Sequence, residues 1–224
     1  MHVKFFIKRL GLGTDWQLLL RASQAIRSEP KSVQARNERF PGHGLTLAQG
    51  GLGKAQFAVQ TQHLLDAYPD WDVVVCAGAS GGLTDSVSVG DVFVATNTVE
   101  HDFNNKFGPR ITPRFDGAPI HITVLRQASI PANAFQVHFG TIASGDEDVI
   151  ELTRRQVLQE SFGALVVGWE GAGGARACAC NVPFIEIRGI TDAANHRASS
   201  EFATNLELAM NNIAVLIINW LIQT

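Results

Sequence analysis

Residues Gly168 to Asn195 read GWEGAGGARACACNVPFIEIRGITDAAN. Phe184 to Ile190 is a short apolar run that predicts a buried strand, and Ala164 to Gly168 (ALVVG) predicts another just before it. Between them, Glu170 to Cys180 predicts a helix built from tiny residues. Its glycines lower helix propensity, but they let the helix approach a sheet closely. Strand, helix and strand in succession form the repeating unit of a mostly parallel sheet covered by helices. Two carboxylates bracket the unit: Glu170 opens the run of tiny residues, and Asp192 closes the apolar one. Solubility alone requires an acid at neither place.

The alternation continues along the chain. Val3 to Ile7, Leu45 to Gln49, Val73 to Ala77, Val92 to Thr98, Ile120 to Leu125 and Val137 to Ala143 predict strands. Asp15 to Ile26, Lys54 to Tyr68, Asp148 to Glu160 and Ser199 to Leu221 predict helices. The class is α/β, and 224 residues without repeats or linkers suit a single domain over residues 1–224. Pro30 to Gly44 reads as a loop or irregular hairpin. Asp102 to Gly117 carries Phe103, Phe107, Pro109, Pro113 and Phe115 among polar residues without a period. Such a loop packs on something outside its own core, a ligand or a second subunit.

Composition narrows the partners. A formal charge of −3 and a pI of about 6.1 provide no basic field, so neither nucleic acid nor an anionic membrane is expected, and a small molecule is. The longest apolar stretch, Ile213 to Ile222, is about half of the roughly 20 residues needed to span a bilayer and reads as a buried helix. The segment MHVKFFIKRLG is too short in its apolar part for a signal peptide, so a cytoplasmic location is expected. Cys76, Cys178 and Cys180 are odd in number and lack a CxxC spacing, which indicates neither a disulfide framework nor a thiolate zinc site. His101, flanked by Glu100 and Asp102, has no second spaced histidine, and neither metal nor cofactor is expected.

Two glycine clusters follow strand-like segments: QGGLGKAQ (Gln49 to Gln56) and CAGASGGL (Cys76 to Leu83). Either is a tight turn or a place where backbone N–H groups approach a ligand. GGLGK lacks the Ser or Thr and the leading glycine of a P-loop, and no GxGxxG follows a strand, so triphosphate and NAD readings fall away.

Taken in order, GGLGKAQFA, CAGASGGL, VGDVFVATNTVEHDF, GTIASGDEDVI and the opening stretch resemble the nucleoside phosphorylase superfamily, of the purine nucleoside and uridine phosphorylase type. The branch they resemble most is that of the bacterial 5′-methylthioadenosine/S-adenosylhomocysteine nucleosidases. That branch shows G[IV]GK, TGSAGGL, GD[IV]V, YHD, SGD followed by an aromatic, MEAAA, NVPF and R[AG]ISD. The resemblance implies a three-layer α/β fold of phosphorylase/hydrolase type, with a central mixed sheet partly closed into a barrel and flanked by helices. It also implies cleavage of the bond between a purine and ribose.

Breaking that bond develops positive charge on the sugar and negative charge on the base, so a site needs an acid at the base and acceptors at the sugar. By resemblance, Asp192 donates a proton or hydrogen bond to purine N7, and Glu170 accepts from the 2′- and 3′-hydroxyls. Read alone, Asp192 also fits a cap of the next segment, and Glu170 a helix first turn where negative charge is favourable anyway. The resemblance sets Trp169 against the ribose and Arg188 near the sugar or the attacking group. Ser144, Gly145 and Asp146 match the SGD signature that shapes the base pocket, and Ala79 and Ser80 match TGSAGG with the serine shifted by one. Phe107 matches a loop that covers the neighbouring subunit's site, which implies a homodimer. Independently of this, Glu186 and Arg188 share a strand face, a spacing that permits a local pair.

Four departures bear on the activity. The glutamate after the first strand that helps activate water is missing from KRLGLGTDW, where Asp15 is the nearest acid. The aromatic that stacks on the purine is Asp148, the serine of TGSAGG is Ala79, and the first glutamate of xEMEA is Gly168. Three readings stay open: a hydrolase with a base from elsewhere, a phosphorylase binding phosphate through Arg9, Arg188 and Ser80, and a nucleoside-binding member without turnover.

Overall fold

The computed structural model describes residues 3–7, 37–40, 45–68, 70–108, 111–131, 134–179 and 182–223. Along the chain run β1 (Val3–Ile7), β2 (Asn37–Phe40), β3 (Leu45–Gln49), α1 (Gly53–Ala67), β4 (Val73–Gly82), β5 (Val92–Glu100) and β6 (Arg114–Asp116). They are followed by α2 (Pro119–Leu125), β7 (Val137–Ser144), α3 (Leu152–Phe162), β8 (Ala164–Gly168), α4 (Gly171–Cys178), β9 (Phe184–Asp192) and α5 (Ala198–Gln223). The expected helix Asp15 to Ile26, Arg9, most of Pro30 to Gly44, Pro109 and Cys180 lie outside the described residues.

Every residue of β4 and of β9 is buried, as befits strands covered on both faces. They pair in parallel from Val74↔Phe184 onward. β9 then pairs antiparallel with β5, β5 parallel with β7, β7 parallel with β8, and β8 antiparallel with β4 at Gly81↔Val167. That circuit returns to its start, so β4, β9, β5, β7 and β8 close into a barrel. β1, β3 and β2 extend the mixed sheet beyond β4, and β6 lies on β5.

Strand alternation divides the core. On β5, Val92 and Val94 face α5, while Phe93 and Ala95 pack with Ile142, Val166 and Ile190. On β4, Val73 and Val75 meet α5, and Val74 and Cys76 meet α1 and α4 through Phe57, Ala175 and Cys178. α5 presents Ile213, Leu216, Ile217 and Trp220, a helical stripe, to the sheet. The sheet therefore lies between two helical layers, as the resemblance implied. Among the described residues no helix is long and apolar enough to cross a membrane.

One expected strand is a helix. IHITVL alternates and is β-branched, yet Pro119–Leu125 is α2, with Pro at its start and Ile122 and Leu125 buried three apart. Helical spacing onto the core overrides strand propensity here. α3 begins at Leu152 rather than Asp148, which leaves residues 148–151 non-helical beside the site. The aromatic loop contains β6, and its Phe115 packs on the chain's own core.

Candidate active site

The C-terminal ends of β4 and β9 and the turn after β8 open onto a cavity of about 310 Å³. β4 ends in AGASGG, whose small side chains leave the space. Ala79, Ser80, Trp169, Glu170, Asp148 and Asp192 all line it.

A bulge aims Asp192. The β4–β9 register slips between Ser80 and Gly81, so that Ser80 faces Ile190 but Gly81 faces Asp192, with Thr191 the extra residue. A Cβ on Gly81 would stand 2.9 Å from Asp192 Oδ1, so only glycine leaves the carboxyl its place. Thr191 Oγ1 donates to Asp192 Oδ2 at 2.8 Å, and the Ala194 amide donates to Oδ1 at 2.9 Å. Burial pushes the carboxyl's pKa up; these two bonds oppose the rise, and the charges of Glu201 and Asp148 add to it. The outcome is a carboxyl that holds its proton above the ordinary aspartate range, in reach of a ligand.

Glu170 stands at the head of α4, 1% exposed, with Oε2 accepting from Arg188 Nη1 at 3.0 Å. Arg188, expected near the sugar or the attacking group, lies behind Glu170, wholly buried and off the cavity wall. Its Nε donates to Glu186 Oε1 at 2.8 Å and its Nη2 meets the same oxygen at 2.7 Å. Nη1 also donates to the Ala79 carbonyl at 3.3 Å, and Nη2 to Cys76 Sγ at 3.6 Å. A guanidinium has five N–H donors. All three of its nitrogens are engaged by protein atoms, and the side chain is buried away from the cavity, out of reach of an incoming phosphate.

Trp169 is pinned by its indole N–H, which donates to the Glu147 carbonyl at 3.0 Å. Arg154 clamps the Glu147 carboxylate through Nε at 2.7 Å and Nη2 at 2.6 Å, and those bonds hold its pKa below the usual value. The SGD residues stand behind this wall rather than on it. Ser144 Oγ donates to the Trp169 carbonyl at 3.1 Å and accepts from the Ala172 amide at 2.9 Å, tying the Trp169–Glu170 turn to β7. Asp146 Oδ1 accepts from the Lys54 amide at 2.8 Å, and so caps α1 after the left-handed Gly51 and Gly53. Gly145 packs so tightly on His101 that a Cβ would come within 2.4 Å of its Nε2.

Phe107 is fully exposed and does not meet its own chain's cavity. Thr191, Val149 and Phe202 line the cavity without having been foreseen. Phe202 arrives on α5 from outside every motif, so nothing local marks it, whereas Thr191 adjoins Asp192 and could have been suspected as its hydroxyl partner.

The chain also matches known proteins. A family model described as the phosphorylase superfamily matches residues 13–221. A 5′-methylthioadenosine/S-adenosylhomocysteine nucleosidase of Tolumonas auensis is 31% identical over 191 residues, 81% of this chain and 83% of that protein. Among solved structures, the nucleosidase of Neisseria meningitidis, in complex with methylthio-immucillin-A, superposes with a TM-score of 0.78 at 26% identity over 93% of this chain and 96% of that one. That of Colwellia psychrerythraea, in complex with adenine, gives a TM-score of 0.75 at 26% identity over 85% of this chain and 87% of that one. With its barrel closed through β4 and β9 and its sequence matched nearly end to end, the chain belongs to the phosphorylase superfamily.

Proposed function

We propose that this protein is a purine nucleosidase, which hydrolyses the N-glycosidic bond of nucleosides of the 5′-methylthioadenosine and S-adenosylhomocysteine type. The observation that carries the reading is that Asp192 and Glu170, an acid with a raised pKa and a buried carboxylate, line one cavity. Asp192 delivers its proton to N7 of the purine as the bond to C1′ breaks, so the base departs neutral. Glu170 accepts from the sugar hydroxyls and stabilises the positive charge growing on the ring. Trp169 lies against the ribose, and water adds at C1′ and releases a proton to solvent, which gives the free sugar and the base; Asp192 then regains a proton from solvent. Ala79 and Ser80 line the sugar side, while Ser144, Gly145 and Asp146 hold the base-side wall in place.

Water is favoured over phosphate as the nucleophile because the Arg188 guanidinium is engaged by protein atoms away from the cavity, and the cavity is lined by Glu147, Asp148 and Glu170 beside the acid Asp192. A dianion entering there would meet repulsion. The protein acts in the cytoplasm as a homodimer, in methionine salvage, with Phe107 covering the partner's site. The exposure of Phe107 and the nucleosidase relatives support that assembly. Release of adenine from 5′-methylthioadenosine in phosphate-free buffer tests the reaction. Strict dependence on phosphate would reverse the choice of nucleophile, and saturable binding without release would leave a non-catalytic protein.

A further inference from the structure

We propose that Glu186 is a positioning residue for the sugar-binding carboxylate: by taking the Nε and Nη2 edge of Arg188 it leaves only Nη1 for Glu170, and so sets how Glu170 meets the ribose hydroxyls. The inference rests on the nucleosidase reading and deepens it. Arg188 is buried between two carboxylates, and an arginine with one carboxylate partner pairs with it through two parallel bonds. Here Nε donates to Glu186 Oε1 at 2.8 Å with Nη2 in ion-pair contact with the same oxygen at 2.7 Å, and Nη1 donates to Glu170 Oε2 at 3.0 Å. Without Glu186, the guanidinium would turn its fork on Glu170 and compete with the sugar for its oxygens.

The surroundings are fitted to the Glu186–Arg188 pair from three sides. Thr98 Oγ1 on β5 donates to its Oε2 at 2.8 Å. Gly171 makes room for it, since a Cβ there would fall 1.8 Å from Oε2. Gly168 makes room for Arg188, since a Cβ there would stand 3.1 Å from its Cζ and Nε. The nucleosidase pattern has a glutamate where Gly168 stands and an alanine where Gly171 stands. A carboxylate absent from the end of β8 is thus supplied from β9, and Gly171 leaves space for it.

The test is the ratio of kcat/KM for 5′-methylthioadenosine to that for its 2′-deoxy analogue. Intrinsic differences in bond lability cancel when one ratio is compared across proteins. In the wild type the hydroxyl contributes on the order of ten- to a hundredfold, the range for a hydrogen bond to a charged group. Glu186→Gln keeps the volume but removes the charge, and its ratio is expected to fall about tenfold, toward that of Glu170→Gln, while Glu186→Asp retains more of it. A parallel loss of activity on both nucleosides with an unchanged ratio, or no change on either, overturns the proposal. Should Glu186→Gln fail to fold, Gly171→Ala displaces the same carboxylate, and an unchanged ratio there is equally fatal. A wild type that releases base from neither nucleoside refutes the nucleosidase reading itself, a different outcome from release with an invariant ratio.

Discussion

A carboxyl at the end of an apolar strand loses hydration before it gains partners, and at Asp192 that loss outweighs the bonds from Thr191 and Ala194. Because its pKa is raised in the folded state, the unfolded chain gives up this proton first as pH rises. The folded state then binds more protons than the unfolded one between the ordinary value of 3.8 and the raised one, so the residue subtracts stability across that window and continues to do so above it. Asp192→Asn should therefore lower kcat by roughly 10²- to 10⁴-fold, the usual contribution of a general acid. Its melting temperature relative to wild type should rise between pH 4 and pH 7. Calorimetry beside steady-state kinetics checks both, and a variant that loses stability and activity together at neutral pH would make Asp192 structural. The wild-type rate should likewise decline as pH climbs through the raised pKa. Asp192 and Glu170 stand out in the sequence at the ends of an apolar and a tiny-residue run, but their roles were legible only through the resemblance. The division of Arg188 between Glu170 and Glu186 was not legible, since a period-2 face shows that Glu186 and Arg188 can meet but not where Glu170 stands.

Between elements, the glycines of α4 act as spacers rather than as hinges. A Cβ on Gly173 would stand 2.1 Å from the Lys54 carbonyl of α1, and one on Gly174 would stand 2.4 Å from the Phe57 ring. Replacing a helical glycine with alanine ordinarily gains up to about 1 kcal/mol. For Gly173→Ala the backbone overlap reverses the sign, and a loss of about 1–3 kcal/mol or more is expected in urea unfolding. Asp146→Ala removes the α1 cap and should cost about 0.5–2 kcal/mol by the same measurement, with KM changing less than it does for Trp169→Ala. If Asp146→Ala raises KM most, it contacts substrate instead. Element readings succeeded where one period dominated, as for β8, which spans Ala164–Gly168 as expected. They failed at α2, because IHITVL satisfies both an alternation and a spacing of three, and only the core beneath it chooses.

At the scale of the whole molecule, the closure of the barrel was legible only through resemblance, because strand order and register are long-range choices that no local period encodes. The same holds for assembly. A phenylalanine as exposed as Phe107, beside Phe103 at 44% exposure and Ile111 at 71%, leaves apolar surface that a monomer has no use for. If that loop covers a neighbouring site, each site is built from two chains, and defects in the two parts can complement. Asp192→Asn lacks the acid but carries an intact loop; Phe107→Ala carries the acid but covers its partner poorly. A mixed dimer holds one site with both defects and one with neither. Co-refolding the two variants at equal concentration should therefore raise specific activity above the mean of the separate proteins, with KM returning toward wild type in the recovered fraction. Sedimentation equilibrium of the wild type should give a dimer. Activity equal to the mean of the two parents, in a preparation shown to exchange subunits, would mean that Phe107 serves its own chain.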